Sequence, residues 1–363
     1  MLDSTGRAPR AKMTKKTPKR STRPARRPRR THVRILFTCI GRRIELVRAF
    51  QRAAEALDIR LTIHGADLNW LAPAMHRVDQ AHLVPRVGVK GHIAALLKVV
   101  RAHKIDLVIP LIDSDLLALA HAVPRFERAG ARVLISAEST VRTCRDKLLT
   151  FQALSEAGVD TPDTCLWAEA LTRKRHRFPY FMKPREGSAG MGNYRIDTLD
   201  ELKVLGRRVR DPIVQEFVEG VEHTLDVYTG LDGRPRCVVP RRRLEVRTGE
   251  VSKGQIVKDQ AIIDTGFRVA EVLGECRGVI TVQCMVTPRG RIRVIEINPR
   301  FGGGAPLSIH AGADFPKWLL AELLGRRIRI NPMGYKDGVT MLRYDDSVFV
   351  TQAKGRQRRP SAG

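Results

Sequence analysis

Between Val279 and Asn298 the chain places an amide, a carboxylate and a second amide at a spacing that suits a hard metal ion. Val279 to Val286 is β-branched and apolar, Thr287-Pro288-Arg289-Gly290 is turn-forming, and Ile292 to Ile297 is again strand-like. The stretch reads as a β-hairpin. If Arg289 and Gly290 form a two-residue turn, Gln283 lies directly opposite Glu296 with Cβ atoms roughly 5 Å apart. Asn298 then projects from the same face. Two neutral amides and one carboxylate do not make an all-protein cage for a divalent ion, but they suit Mg²⁺ shared with substrate phosphates, which supply the missing ligands and charge. A three-residue turn would shift this register, and an ordinary exposed sheet face carries the same residue types.

Three further stretches extend this chemistry. Phe178 to Pro184 is an apolar strand that delivers Lys183 immediately before a loop with Gly187, Ser188, Gly190 and Gly192. Such glycines allow positive φ and leave backbone N–H groups uncovered, so the loop can fold over a polyphosphate, with lysine as a point charge. Between the two stretches, Ile213 to Val218 is an apolar strand running into a polar edge. There the backbone of Glu216, Phe217 and Val218 can meet an adenine while Glu222 accepts hydrogen bonds from ribose hydroxyls. Plain hairpin glycines and a solvated glutamate would account for each feature taken alone. Further on, Pro240 to Gly254 is a strand running into a basic loop, and alternation sends Arg241 and Arg243 to one face and Arg242 to the other. Arg243 and Lys253 are candidates for contact with a terminal phosphate or a carboxylate; a solvated charged hairpin would look the same.

The order of these parts, Lys183-Pro184 with its glycine loop, Gln215 to Val218, Gln283, then Glu296-Ile297-Asn298-Pro299-Arg300, resembles the ATP-grasp superfamily. The resemblance points to single-copy relatives of the carbamoyl-phosphate synthase large subunit and to carboxylate–amine ligases, and it covers roughly residues 32 to 330. It implies ATP between two α+β subdomains with two Mg²⁺ ions on its phosphates, Mn²⁺ being a possible substitute. By the same resemblance Glu296 would bridge both metals, Asn298 would take the second and Gln283 the first, and Arg300 would bind the γ-phosphate or an acyl phosphate. Lys183 and Lys147 would face the phosphates. Glu216 and Val218, flanking Phe217, would present backbone to adenine, with Glu222 on the ribose. Many relatives carry an acid where Gln283 stands, which implies a more weakly held first metal.

The implied reaction is ATP-dependent activation of a carboxylate as an acyl phosphate, followed by attack of an amine or another nucleophile. Bicarbonate phosphorylation of the carbamoyl-phosphate synthase kind is the alternative within the family. A basic nucleic-acid-binding protein using the fold as a scaffold is the alternative from another class. No internal repeat matches the duplicated carbamoyl-phosphate synthase subunit, and no glutaminase-like segment is visible.

The elements that must position these residues follow from periodicity. Short apolar strands at Val33 to Thr38, Leu61 to Gly65, Leu107 to Pro110 and Val133 to Ser136 alternate with amphipathic runs at Ile44 to Leu57, His92 to His103 and Leu116 to Ala129. That alternation predicts a parallel, doubly wound sheet. Gly41 starts no GxGxxG fingerprint. Asp67, Asp113 and Asp115 fall at strand carboxyl ends, where ligands bind in such sheets; capping of the next helix by Asp113 or Ser114 is the plainer reading. A helical connection is expected over 137–158. The fold class is therefore α/β and α+β, a Rossmann-like N-terminal domain (31–140) followed by a two-subdomain ATP-grasp fold (141–330) whose small subdomain spans 160–212. Glycines 302 to 304 suggest a mobile loop, and a C-terminal region (331–363) has strand character at Val339 to Tyr344 before a basic, Pro/Gly-containing tail over 351–363 that reads as disordered.

The first thirty residues hold twelve Lys or Arg against one acid, Asp3, and four prolines. They read as a disordered basic extension, able to touch nucleic acid unspecifically through phosphates or to resemble a transit segment. They carry +11 of the formal net charge of +27, so the remainder is basic too. Six scattered cysteines without a CxxC pair read as reduced thiols and a cytoplasmic protein. No apolar run approaches the length of a membrane span. The expected partners are small-molecule carboxylates and amines, with a homodimer possible.

Overall fold

A computed structural model describes residues 30–187 and 190–351. The expectations for residues 1–29, for Ser188 and for the tail from 352 onward lie outside the described residues.

Alternating strands and amphipathic helices build the parallel sheet first. β1 (His32–Thr38), β2 (Arg60–Asp67), β3 (Gln80–Leu83), β4 (Leu107–Pro110) and β5 (Arg132–Val133) pair in the order β3-β2-β1-β4-β5. Helices α1 (Ile44–Ala56), α2 (His92–His103) and α3 (Asp113–Arg128) connect them. The short, polar β3 carries too little apolar alternation to be visible in sequence. Strand order reverses between β1 and β4, which opens a crevice at their carboxyl ends. Asp115 is wholly buried there, accepting from Thr38 Oγ1 at 2.6 Å and lying 2.9 Å from His92 Nε2. Asp67 accepts from the Gly41 N–H at 2.9 Å. Both carboxylates are thus committed to holding the strand ends together.

The helical connection is two helices rather than one. α4 (Glu138–Arg145) and α5 (Lys147–Glu156) break at Asp146, whose extended backbone ends the first and whose carboxylate caps the second by accepting from the N–H groups of Leu148 and Leu149. This puts Lys147 at the first position of α5.

Next comes a small antiparallel sheet in the order β6-β9-β7-β8, made of β6 (Thr164–Leu166), β7 (Tyr180–Pro184), β8 (Tyr194–Ile196) and β9 (Pro212–Glu216), covered by α6 (Trp167–Leu171) and α7 (Leu199–Gly206). A larger antiparallel sheet follows. It contains β10 (Val221–Gly230), β11 (Cys237–Arg247), β12 (Glu250–Ile256), β13 (Gly278–Val286), β14 (Ile292–Asn298) and β15 (Thr340–Leu342), in the order β14-β13-β10-β11-β12-β15. α8 (Gln260–Leu273), α9 (Ala305–His310) and α10 (Phe315–Leu323) complete the chain. None of the described helices is long and apolar enough to cross a membrane.

One apolar core passes from Phe37 of β1 and Phe50 of α1 through Phe301 to Tyr228 of β10 and Phe315 and Trp318 of α10. Phe37–Phe50 and Phe50–Phe301 meet edge-on with centroids 5.2 and 6.2 Å apart, while Tyr228 stacks on Phe315 at 5.8 Å. The core is thus continuous from the parallel sheet to the large antiparallel sheet.

Alternation along β11 holds: Arg241 is buried and Arg242 exposed. Arg241 makes a bidentate pair with Asp226 at 2.7 and 3.0 Å, and Ser308 Oγ donates to the same carboxylate at 2.6 Å. Both charges are removed from water, so removing one strands the other. Asp226→Ala is expected to cost about 3–5 kcal/mol, read as a lowered urea midpoint. A loss below about 1 kcal/mol would show that the pair contributes no more than a surface bridge.

Candidate active site

β13 and β14 form the expected hairpin by an unexpected route. Its turn has three residues, not two: the Thr287 N–H donates to the Arg291 carbonyl at 2.9 Å, and Gly290, at φ +78°, donates to the Thr287 carbonyl at 2.9 Å. That register pairs Val286 with Ile292 and Cys284 with Val294, which by itself would put Ile295 opposite Gln283. A β-bulge at Ile295 inserts one residue and restores Gln283 opposite Glu296 and Thr281 opposite Asn298.

The bulge leaves the Ile295 carbonyl outside the ladder, and Lys183 uses it. Lys183 Nζ, delivered by β7 and 4% exposed, donates to that oxygen at 3.2 Å. Burial, opposed by Glu296 and aided by nearby Lys147, lowers its pKa to about 8. Lys147 Nζ donates to the Gly187 carbonyl at 3.0 Å, and its backbone N–H to the Arg185 carbonyl at 3.1 Å. Two buried lysines from different elements thus stand beside the glycine loop. Gly187, Gly190 and Gly192 have φ of +146°, +68° and +74°, the left-handed backbone expected of them.

Asn298 lies between two carboxylates. With its NH₂ turned to Asp113 it donates at 2.9 Å to Oδ1, and its amide oxygen then faces Glu296 Oε1 at 3.3 Å. Neighbouring ligand oxygens on an octahedral Mg²⁺ are about 3 Å apart. The donor set of Gln283, Glu296 and Asn298 therefore fits a hard divalent ion. Asp113 also forms an ion pair with Arg300. This corrects the capping reading, because α3 has Ile112 at its N-cap and no side-chain cap.

The other expected residues are placed unevenly. Glu222 and Arg243 pair at 2.5 Å on the face that carries Arg241, and burial raises the Glu222 pKa against the pull of Arg243. Lys253 is not brought in: it projects from the opposite face of β12 and pairs with Glu245 at 2.6 Å. Glu216 spends its side chain on Arg293 at 2.8 Å, leaving only its backbone to face a ligand. Arg195 lies over the Phe217 ring at 4.9 Å. Glu216, Phe217 and Val218 line a recess of about 270 Å³ shared with the hairpin tip at Thr287 to Arg289.

Sequence reasoning missed a group of arginines. Arg43, after β1, and Arg343, after β15, both pair with Glu250, at 3.2 and 3.3 Å. Arg43 lies close enough to Arg300 and Arg343 for each to disfavour its charged form. Arg43 could have been found from its place at a strand carboxyl end; nothing in the sequence marks Arg343. The glycines after Arg300 are not a loose loop, as expected, but a packed one. A Cβ on Gly303 would come within 2.5 Å of Arg43 Nη1, and one on Gly304 within 2.1 Å of Arg241 Nη1. A side chain at either position would displace the guanidinium group that packs there.

A parallel sheet followed by two antiparallel sheets, with a lysine-tipped strand facing a Glu-x-Asn hairpin end, is the arrangement of an ATP-grasp protein. The chain carries an ATP-grasp domain: residues 144–304 match that family's model, and residues 35–134 match the PylC-like N-terminal domain. It is 26% identical over 260 residues to the carbamoyl phosphate synthase large chain of Acidobacterium capsulatum, covering 65% of this chain and 23% of that protein. It is also 26% identical over 194 residues to the D-alanine–D-alanine ligase of Aquifex aeolicus, covering 47% of this chain and 66% of that one. The chain spans less than two thirds of these relatives' own length. The crystal structure of an L-amino acid ligase from Bacillus licheniformis superposes with a TM-score of 0.65 at 19% identity, over 82% of this chain and 75% of that one. Biotin carboxylase from Campylobacter jejuni gives 0.68 at 14%, over 84% and 74%. The last two likenesses establish the fold.

Burying Lys183 has a cost that pH can expose. Between about 8 and 10.5 the unfolded chain holds a proton that the native one has released, so stability rises with pH across that window and the full penalty is present below it. Lys183→Met is expected to be more stable than the parent at pH 7 by about 1–3 kcal/mol, with the gain fading as pH approaches 10.5. A variant less stable at every pH in urea titrations would contradict this origin of the shift.

Proposed function

We propose that this protein is an ATP-dependent, ADP-forming ligase that activates a carboxylate as an acyl phosphate and couples it to an amine. The observation that carries the reading is the meeting of Gln283, Glu296 and Asn298 on one sheet face with Lys183, which is anchored to the carbonyl just before Glu296. A carboxylate is a poor acylating agent because oxide would have to leave; phosphorylation supplies a better leaving group. Glu296 and Asn298 would hold one Mg²⁺, with Glu296 and Gln283 on a second, and Mn²⁺ as a substitute. When bound, these ions would neutralise the β- and γ-phosphates. Lys183 and Lys147 fix phosphate oxygens as point charges, and the loop glycines let backbone N–H groups close over them. The Glu216 to Val218 backbone faces adenine, and Glu222, braced by Arg243, accepts from ribose. Arg300, aimed by Asp113, and Arg43 supply cationic charge for the substrate carboxylate and the transferring phosphoryl group.

A second reading, bicarbonate phosphorylation with ammonia as the amine, is favoured by the likeness to carbamoyl phosphate synthase large chain. Five of the six thiols are buried and all are free, with desolvation pushing Cys237, Cys276 and Cys284 up to about 12. Such unreactive thiols suit a reducing compartment, and we place the protein in the cytoplasm.

Phosphate release from Mg·ATP, screened against carboxylic and amino acids, is expected to need both a carboxylate and an amine. Turnover with bicarbonate and ammonia alone would select the second reading. Glu296→Ala should keep the parent's circular dichroism and lose at least about 10³-fold in kcat/KM. Normal ADP formation by that variant would remove the basis of the proposal.

A further inference from the structure

Three of the chain's ten histidines meet at the outer edge of the N-terminal parallel sheet, on elements that take no part in the site described above. His64 sits on β2 and His82 on β3. The register pairs His64 with Gln80 and Ala66 with His82, so the two imidazoles are diagonal neighbours on one face. His103, the last residue of α2, closes the group from the helix side. His64 Nδ1 is 3.0 Å from His82 Nε2, and the His103 ring centroid is 4.8 and 4.9 Å from the other two. One nitrogen from each ring lies within 4.8 Å of the other two. His64 is buried, while His82 and His103 are partly exposed.

We propose that His64, His82 and His103 form a transition-metal site, for Zn²⁺ in the first instance, whose fourth position is open to water or an external ligand. The class follows from the donors. Three imidazoles and no carboxylate select a borderline ion such as Zn²⁺ and offer little to Mg²⁺ or Ca²⁺. A tetrahedral ion with bonds of about 2.1 Å asks for nitrogens about 3.4 Å apart. The observed 3.0 Å contact and 4.8 Å limit bracket that spacing. Burial holds the pKa of His64 down to about 4 and lowers that of His82, so both are neutral ligands at pH 7. Bound there, the ion ties the edge strand β3 and the end of α2 to β2. It is a clip on the N-terminal unit, distinct in ligand chemistry from the oxygen donors around Glu296.

The test uses the full chain without a histidine tag, in excess Mg²⁺ so that the oxygen site is saturated with its own ion. Titration calorimetry with Zn²⁺ is expected to show one site per chain, retained in Glu296→Ala and weakened at least about tenfold in His82→Ala and in His103→Gln. The parent, but not these variants, should gain a few degrees in Tm with Zn²⁺. His103→Gln, at a helix end, keeps the assay interpretable if His82→Ala folds poorly. Co²⁺ added to the parent should give the intense visible absorption of a four-coordinate ion. Equal Zn²⁺ affinity in parent and His103→Gln, or only the weak absorption of six-coordinate Co²⁺, would overturn the assignment.

Discussion

A single inserted residue in β14 ties the candidate site together. The bulge at Ile295 sets Glu296 across from Gln283 and Asn298 across from Thr281, and it releases a carbonyl that anchors Lys183. The backbone register thereby sets the oxygen donors on one face, and the buried ammonium is tied to the main chain of the same strand. A bulge is held by the ladder on both sides, so its geometry survives small changes in packing. The small and large sheets meet at this point, because β7 brings the lysine and β14 the acid.

The second constraint is a concentration of guanidinium groups, five arginines held by four carboxylates. Arg241 is neutralised by Asp226, Arg243 by Glu222 and Arg300 by Asp113, while Arg43 and Arg343 share Glu250. Each carboxylate aims a guanidinium and offsets part of its desolvation. Gly303 and Gly304 let those groups pack on the backbone. The group draws on β1, α3, the large sheet and the chain beyond β15, so it exists only when the N-terminal unit and the large subdomain share the core centred on Phe50 and Phe301.

Much of this was legible in the sequence because it is local. Helix α2 is where its period placed it, β4 likewise, and the glycine loop after Lys183 carries the positive φ that its composition called for. The Gln283–Glu296 pairing was also reached, though from a two-residue turn; a three-residue turn and a bulge cancel to give the same register. No pattern of residue types announces a bulge, since it depends on what the neighbouring strand and Lys183 require. Lys253 failed for a related reason, as the irregular pairing of β11 and β12 decides which face a side chain takes.

By itself the sequence determined most of the elements and their order, and it singled out the residues of a candidate phosphate-and-metal site, because strand alternation, helix periodicity and glycine placement act over a few residues. Tertiary structure alone decided which charges meet. Asp113 reaches Arg300 across 187 positions of chain, Arg43 and Arg343 find one glutamate from opposite ends, and three histidines on separate elements become neighbours. Such encounters are set by how sheets stack and share a core, and no spacing along the chain encodes them.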